Sequence, residues 1–503
     1  MVPAWVLLKR RIYIEHDATA SGCASEAGEE QMGGETAGGA GEEAMGGESA
    51  GGSAKDSMGA GEPGKKSMGG AISAEPGKKS MGGAISAEPG KKSMGGASAC
   101  GSGKESMGRA GGIVERRQDI TDAILHYLQS LKPDPHFANP LEVSALRLLR
   151  PTESIPRLCG GITSAFIVSA DKNLVALYAG PYRAGTDLKG GYLIYDASKN
   201  SLSTIPKPPY DYSRNELGLG AVVVTLVGEE DTYCLCELTK IRDSDPPEAA
   251  LCTWRPSSQE WMVEVASFPT ELSPPNYFFM ADMCFSYQGS ILCWVDLFKG
   301  MVVCRSMLQI GGRPELSFIP LPRECATYDC SGEGSEPPRR AEEFRSIACV
   351  GGSIKLVTMN GYGQRPGHEL SLTIWTLSMD LGGWNKGKEY RVRDIWASEA
   401  YLSLGLPNIL PSFPVLSMDK DDVVCLVVTH WNRAVDGKVE YRGQYLLCVD
   451  MQHNKVFLRS TNTEQLRSQL FASECSAYPH CLEDHQGKFK ARKVGSSGKM
   501  GML

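Results

Sequence analysis

Between Asp282 and Cys304 the chain reads DMCFSYQGSILCWVDLFKGMVVC, an alternation of apolar runs and tight turns. Tyr287-Gln288-Gly289 separates MCFSY from SILCWVDL, and Phe298-Lys299-Gly300 separates that run from MVVC. Short apolar runs bounded by glycine turns are the signature of strands joined as hairpins. The same device recurs after Ala165. One unit runs from Ser164 around Asp171-Lys172-Asn173 and Ser198-Lys199-Asn200 to Pro206; a second starts at Ala221. The third is the stretch just described, extended through Ile319, and others begin at Ser346 and Val415. A β-sandwich would also give many short strands, but not this grouping by fours. The expected fold is mainly β: a propeller-like array of about five four-stranded units, with a few short helices.

The N-terminal part differs. Trp5 to Glu15 is apolar and rich in β-formers, and is expected to pair with a distant strand. From Thr19 to Gly112 the composition collapses to Gly, Ala, Ser, Glu, Lys and Met. A thirteen-residue repeat, EPGKKSMGGAISA, is marked there by Met68, Met81 and Met94. Such a unit cannot bury enough surface to offset the entropy of ordering, so disorder is expected. Asp119 to Leu131 then places Ile120, Ile124, Leu128 and Leu131 on one helical face, with Pro133 beyond its end. Leu141 to Leu149, between Pro140 and Pro151, reads less clearly as a second helix. After the last β unit, Thr463 to Ser473 has helical spacing, with Thr461 and Glu464 placed as a capping box. The expected organisation is a strand segment (1–18), a disordered insert (19–112), a helical connector (113–160), a β domain with a C-terminal helix (161–487) and a basic mobile tail (488–503).

Charge and cysteine usage narrow the class. A net charge of −7 argues against a surface built for nucleic acid, and no long apolar run suggests a membrane span. The sixteen cysteines are irregularly spaced, and many lie inside apolar strands, as free thiols do in a reducing compartment. The N-terminus lacks a signal-peptide pattern. Cytosol or nucleus is the expected location; Lys488, Lys490, Arg492 and Lys493 could serve nuclear import or an acidic partner.

The N-terminal WVLL segment and the core Trp294, Val295, Asp296, Leu297 and Gly300 resemble a plant family, expanded in grasses, known as domain of unknown function 1618. The resemblance covers Trp5 to Glu15 and then Ile162 to Arg459. It implies a source and an architecture, but no activity. The insert departs from the family pattern.

Candidate chemistry is sparse. Gly59 to Lys65 has phosphate-loop spacing, but Lys66 stands where Ser or Thr is needed, and neither strand nor helix flanks it. Cys475, His480, Cys481 and His485 are zinc-ligand types within eleven residues, yet their spacing fits no structural zinc pattern; the plain alternative is a polar loop. His430 ends an apolar strand, and Asp282, Asp296 and Asp450 sit at strand ends, where acids more often bind turn amides than catalyse. No hydrolase motif is present. No catalytic residue, metal or cofactor is expected. Trp294, Asp296 and Gly300 are read as structural. The preferred function is a non-enzymatic module binding a protein or peptide; the alternatives are an enzyme using a central propeller pocket and a zinc-binding protein.

Overall fold

The computed structural model describes residues 5–16, 120–138, 142–151, 162–180, 190–209, 216–227, 231–241, 244–272, 279–305, 313–325, 340–361, 369–433, 439–462 and 469–477. The expected disordered insert, the phosphate-loop-like segment and the basic tail lie outside these residues.

All five expected units are four-stranded antiparallel meanders. The first comprises β5 to β8 (Ser164–Asp171, Leu174–Ala179, Gly191–Asp196, Ser201–Ile205) and the second β9 to β12 (Glu216–Thr225, Tyr233–Lys240, Glu248–Trp254, Trp261–Ser267). The third comprises β13 to β16 (Met283–Tyr287, Ile291–Asp296, Gly300–Cys304, Leu316–Pro320). The fourth is β17 to β20 (Arg345–Val350, Ser353–Asn360, Ser371–Leu377, Trp384–Arg391), and the fifth β21 to β24 (Ser412–Leu416, Val423–Arg433, Val439–Asp450, Lys455–Asn462). Turn chemistry sets the hairpins. Gly351 and Gly352, at φ 57° and 73°, form the two-residue turn from β17 to β18, where both central residues need positive φ.

A further group of strands, joined through β2 (Arg11–His16) to the first unit in one nine-stranded sheet, closes the array. Its strands come from three distant parts of the chain: β1 (Val6–Lys9), the hairpin β3 (Lys132–His136) and β4 (Val143–Arg150), and β25 (Leu470–Ser473). β25 pairs antiparallel with β1, β1 runs parallel to β4, and β4 pairs antiparallel with β3. β2 continues β1 alongside β4, but its other edge switches to β5. The first strand of each unit lies innermost, and β25 touches both β21 and β5, which completes the ring.

Three expectations are corrected. Residues 120–129 are helical (α1), and Ile124, Leu128 and the following Leu131 are buried, as their spacing predicts. The described part of the expected helical connector (113–160) is nevertheless helix followed by strands, because β3 and β4 come after α1. Leu141 to Leu149 is mostly strand: Ser144, Leu146 and Leu148 are buried at alternate positions, the period of a half-covered sheet. Pro133 and Pro135 fit β3 because it is an edge strand, where a missing N–H leaves no bond unmade. The expected C-terminal helix is replaced at its described end by β25, and the backbone of Thr461 pairs with Tyr445 inside a sheet; residues 463–468 lie outside the described residues.

The core lies between sheets. Central strands such as β10, β14, β15 and β18 bury both faces and are apolar along most of their length, whereas outer strands such as β12 and β20 are largely exposed. Along β14, Leu292 and Trp294 pack toward the second unit, while Cys293 and Val295 pack into the cluster that reaches the fourth. Tryptophans tie neighbouring units: Trp261 donates to the Pro206 carbonyl at 2.9 Å and Trp384 to the Pro320 carbonyl at 2.8 Å.

Candidate functional site

The strand-end acids are engaged locally. Asp296 accepts from the Phe298 and Lys299 N–H groups at 2.9 and 3.2 Å and from Met280 N–H at 3.0 Å. Its other partner is Lys299 Nζ at 3.3 Å. Asp196 and Asp450 repeat the turn: their carboxylates accept from the N–H two residues on, Ser198 at 2.9 Å and Gln452 at 3.1 Å. Burial works to raise both carboxyls, but hydrogen bonds outweigh it and hold them below the usual range, from Ser198, Asn173 and Lys199 on Asp196 and from His453 and Gln452 on Asp450. Asp282 accepts from Leu297 N–H at 2.8 Å. Burial, with Glu342 and Asp296 nearby, pushes its carboxyl up, opposed by Leu297 N–H and Arg10. His430 is half-buried beside a bulge in the hairpin of β22 and β23.

The acid at the heart of the family-like motif is thus a turn staple. Asp296→Asn keeps one acceptor oxygen but loses charge, and should cost about 1–2 kcal/mol by chemical denaturation. Gly300 sits at φ +155°, where an added Cβ would run into the Ile319 carbonyl oxygen and the Phe318 ring. Gly300→Ala should therefore cost about 2–3 kcal/mol, more than the aspartate change. The reverse order would show that Gly300 is not held by its neighbours.

The ring axis holds two unlike features. Near the starts of β13 and β25 it is filled by Arg10, which is buried. Its guanidinium donates to the Ile167 carbonyl at 3.1 Å, and also to Gln469 Oε1 and the Asp282 carbonyl. A cavity of about 220 Å³ is lined by β5, β13, β17, β21 and β25, from Met283 and Leu470 at the starts of their strands to Asp171 and the turn residues Lys172, Gln288 and Gly289. Phe285, Ile347 and Phe471 form apolar wall, Cys349 lies among them, and Asp171, Lys172 and Glu474 are its charged residues. Asp171 Oδ2 also accepts from Thr225 N–H at 2.6 Å. Burial pushes the Cys349 thiol up, and Glu474 and Asp171 add to the shift. That is opposite to the depression an activated nucleophilic thiol needs. A larger, more open groove of about 760 Å³ lies between the second and third units, with Glu248, Glu264, Glu315 and Arg313 as its charged lining residues.

Of the zinc-ligand types, Cys475 is fully buried in the core, while His480, Cys481 and His485 lie outside the described residues. No group of three or more metal-ligating side chains occurs among the described residues. No described helix is long and apolar enough to cross a membrane.

Sequence reasoning named none of the cavity residues as a site. Asp171 was visible only as a turn residue and Cys349 only as an apolar-strand cysteine, because nothing local marks a strand as innermost.

The fold defines a propeller-like protein built of four-stranded sheets around an axis. Residues 294–425 match the family described as "Protein of unknown function (DUF1618)", so the resemblance carried by Trp294, Asp296 and Gly300 holds over that segment. No curated protein matches the chain. Solved structures similar to it include a GH43 β-1,3-galactosidase, at 12% identity and a TM-score of 0.29, covering 58% of this chain and 57% of that one. Another is the β-propeller domain of the trilobed protease from Pyrococcus furiosus, at 11% identity and TM-score 0.27, covering 58% and 70%. A third is the six-bladed fucose-binding lectin of Aleuria aurantia, at 10% identity and TM-score 0.25, covering 59% and 76%. The chain thus spans little more than half of the galactosidase chain.

Proposed function

We propose that the protein is a non-enzymatic interaction module that binds a protein or peptide at the end of the ring carrying the open axial cavity, in the cytosol or nucleus. The observation that carries this reading is the destination of the strand-end acids. Asp196, Asp296 and Asp450 are spent on turn amides rather than aimed into a shared pocket. The axial cavity, at about 220 Å³, also falls below the roughly 300–1,000 Å³ usual for small-molecule sites. The turns around its mouth offer the kind of loop surface that binding proteins use. Most of the described cysteines are buried inside apolar strands as small hydrophobes, which fits a reducing compartment.

The test is affinity purification with the full-length chain from cells that express it, alongside turnover assays on a panel of small-molecule substrates. The reading expects a protein retained in near-stoichiometric amount through physiological salt, and no turnover. Catalytic turnover without a retained macromolecule would overturn it in favour of an axial-pocket enzyme.

A further inference from the structure

We propose that the axial cavity is a receptor for one basic side chain, a lysine or arginine presented by a protein partner. The inference rests on the interaction-module reading and adds to it a site and a chemistry. The cavity, of about 220 Å³, is lined by residues of five inner strands and the turns that follow them. Its size suits a single long side chain rather than a folded segment. Phe285, Ile347 and Phe471 supply apolar wall for an aliphatic stem, while Asp171 and Glu474 supply carboxylates for a cationic head. Lysine and arginine divide in this way, with an apolar stem and a charged tip.

The charge balance selects the sign. The lining carries two acids against one base; Lys172 and Glu474 are both exposed, and Asp171 is half-buried. An anionic head would meet a net repulsion that a cation avoids. Both carboxylates act on the Cys349 thiol, so their field reaches into the cavity. The same axis already houses a guanidinium, that of Arg10, bound by carbonyl oxygens with the Asp282 carboxyl nearby.

Cys349 provides the reporter. Full-length protein is alkylated with N-ethylmaleimide, and modification of the Cys349 peptide is followed by mass spectrometry in the presence of capped pentapeptides. These differ only at a central arginine, lysine, norleucine or glutamate. Arginine and lysine peptides should slow alkylation at millimolar concentration, and the norleucine and glutamate peptides should not. An Asp171→Asn, Glu474→Gln double variant, which keeps an acceptor for Thr225 N–H, should lose protection about fivefold. Equal protection by all four peptides, or by none, would overturn the proposal. Stronger protection by free spermidine or free arginine than by the capped peptides would also overturn it, since the site would then serve a free cation. A partner held equally by wild type and double variant would sink the cavity inference while leaving the module reading intact. Peptide protection with no retained partner would support the cavity chemistry and overturn the module reading.

Discussion

Replacing Trp294 by alanine is expected to lower the unfolding free energy by about 4–5 kcal/mol, the upper part of the range for a buried aromatic. The residue has no exposure and stands at the centre of the apolar cluster joining the second and third sheets. Its neighbours there include Val222, Val224, Cys236 and Val302, all from strands too well anchored by their ladders to collapse into the void. The indole N–H also donates to the Gly220 carbonyl, so truncation leaves a buried acceptor without that donor. Trp294→Phe separates the two contributions, because it fills most of the volume and removes only the donor. The phenylalanine variant should recover more than half of the loss in chemical denaturation. An unchanged alanine variant would mean that the two sheets do not pack through this residue.

Arg10→Met is expected to cost about 3–5 kcal/mol, the effect of breaking a buried, hydrogen-bonded charge arrangement. Arg10 lies where β1 gives way to β2, and its backbone already joins two elements: its N–H donates to the Gln469 carbonyl and its carbonyl accepts from Ile167 N–H, both at 2.9 Å. Its guanidinium then adds the third sheet through the Asp282 carbonyl. One residue thus links the first sheet, the third sheet and the C-terminal segment. Methionine keeps the stem and abolishes the donors, so the loss reports the bonds rather than the packing. An additional Asp282→Asn change should soften the penalty, since it removes a carboxylate left without its nearby cation. An additive double variant would show that the two groups do not interact.

The five meanders were legible because each is continuous in sequence. Gly289, Gly300 and the Gly351-Gly352 pair break the apolar runs at hairpin spacing, and strands such as β14 announce two-sided burial by their composition. The closing strands were not legible, since they come from three separated segments. Leu146, Leu148 and Leu149 are good helix formers, and so is Leu470 with its neighbours. What makes them strands is the unpaired edge of β1, which long-range pairing satisfies at the expense of local preference. The roles of Trp294 and Asp296 were readable from alternation alone, because the strand end and turn are local. Asp171, Glu474 and Arg10 were not, because their positions around the axis depend on ring closure.

Ring closure by the N-terminal strand is the claim on which the axis, the Arg10 plug and the cavity all depend. It is tested most directly by placing a site for a specific protease between Cys23 and Met107, cutting the purified protein and passing it over a sizing column without denaturant. The account predicts that the short N-terminal fragment co-elutes with the remainder, and that amides of Val6–Lys9 stay protected from hydrogen exchange through their pairing with Leu470–Ser473. Release of the fragment from a remainder that stays folded would contradict it.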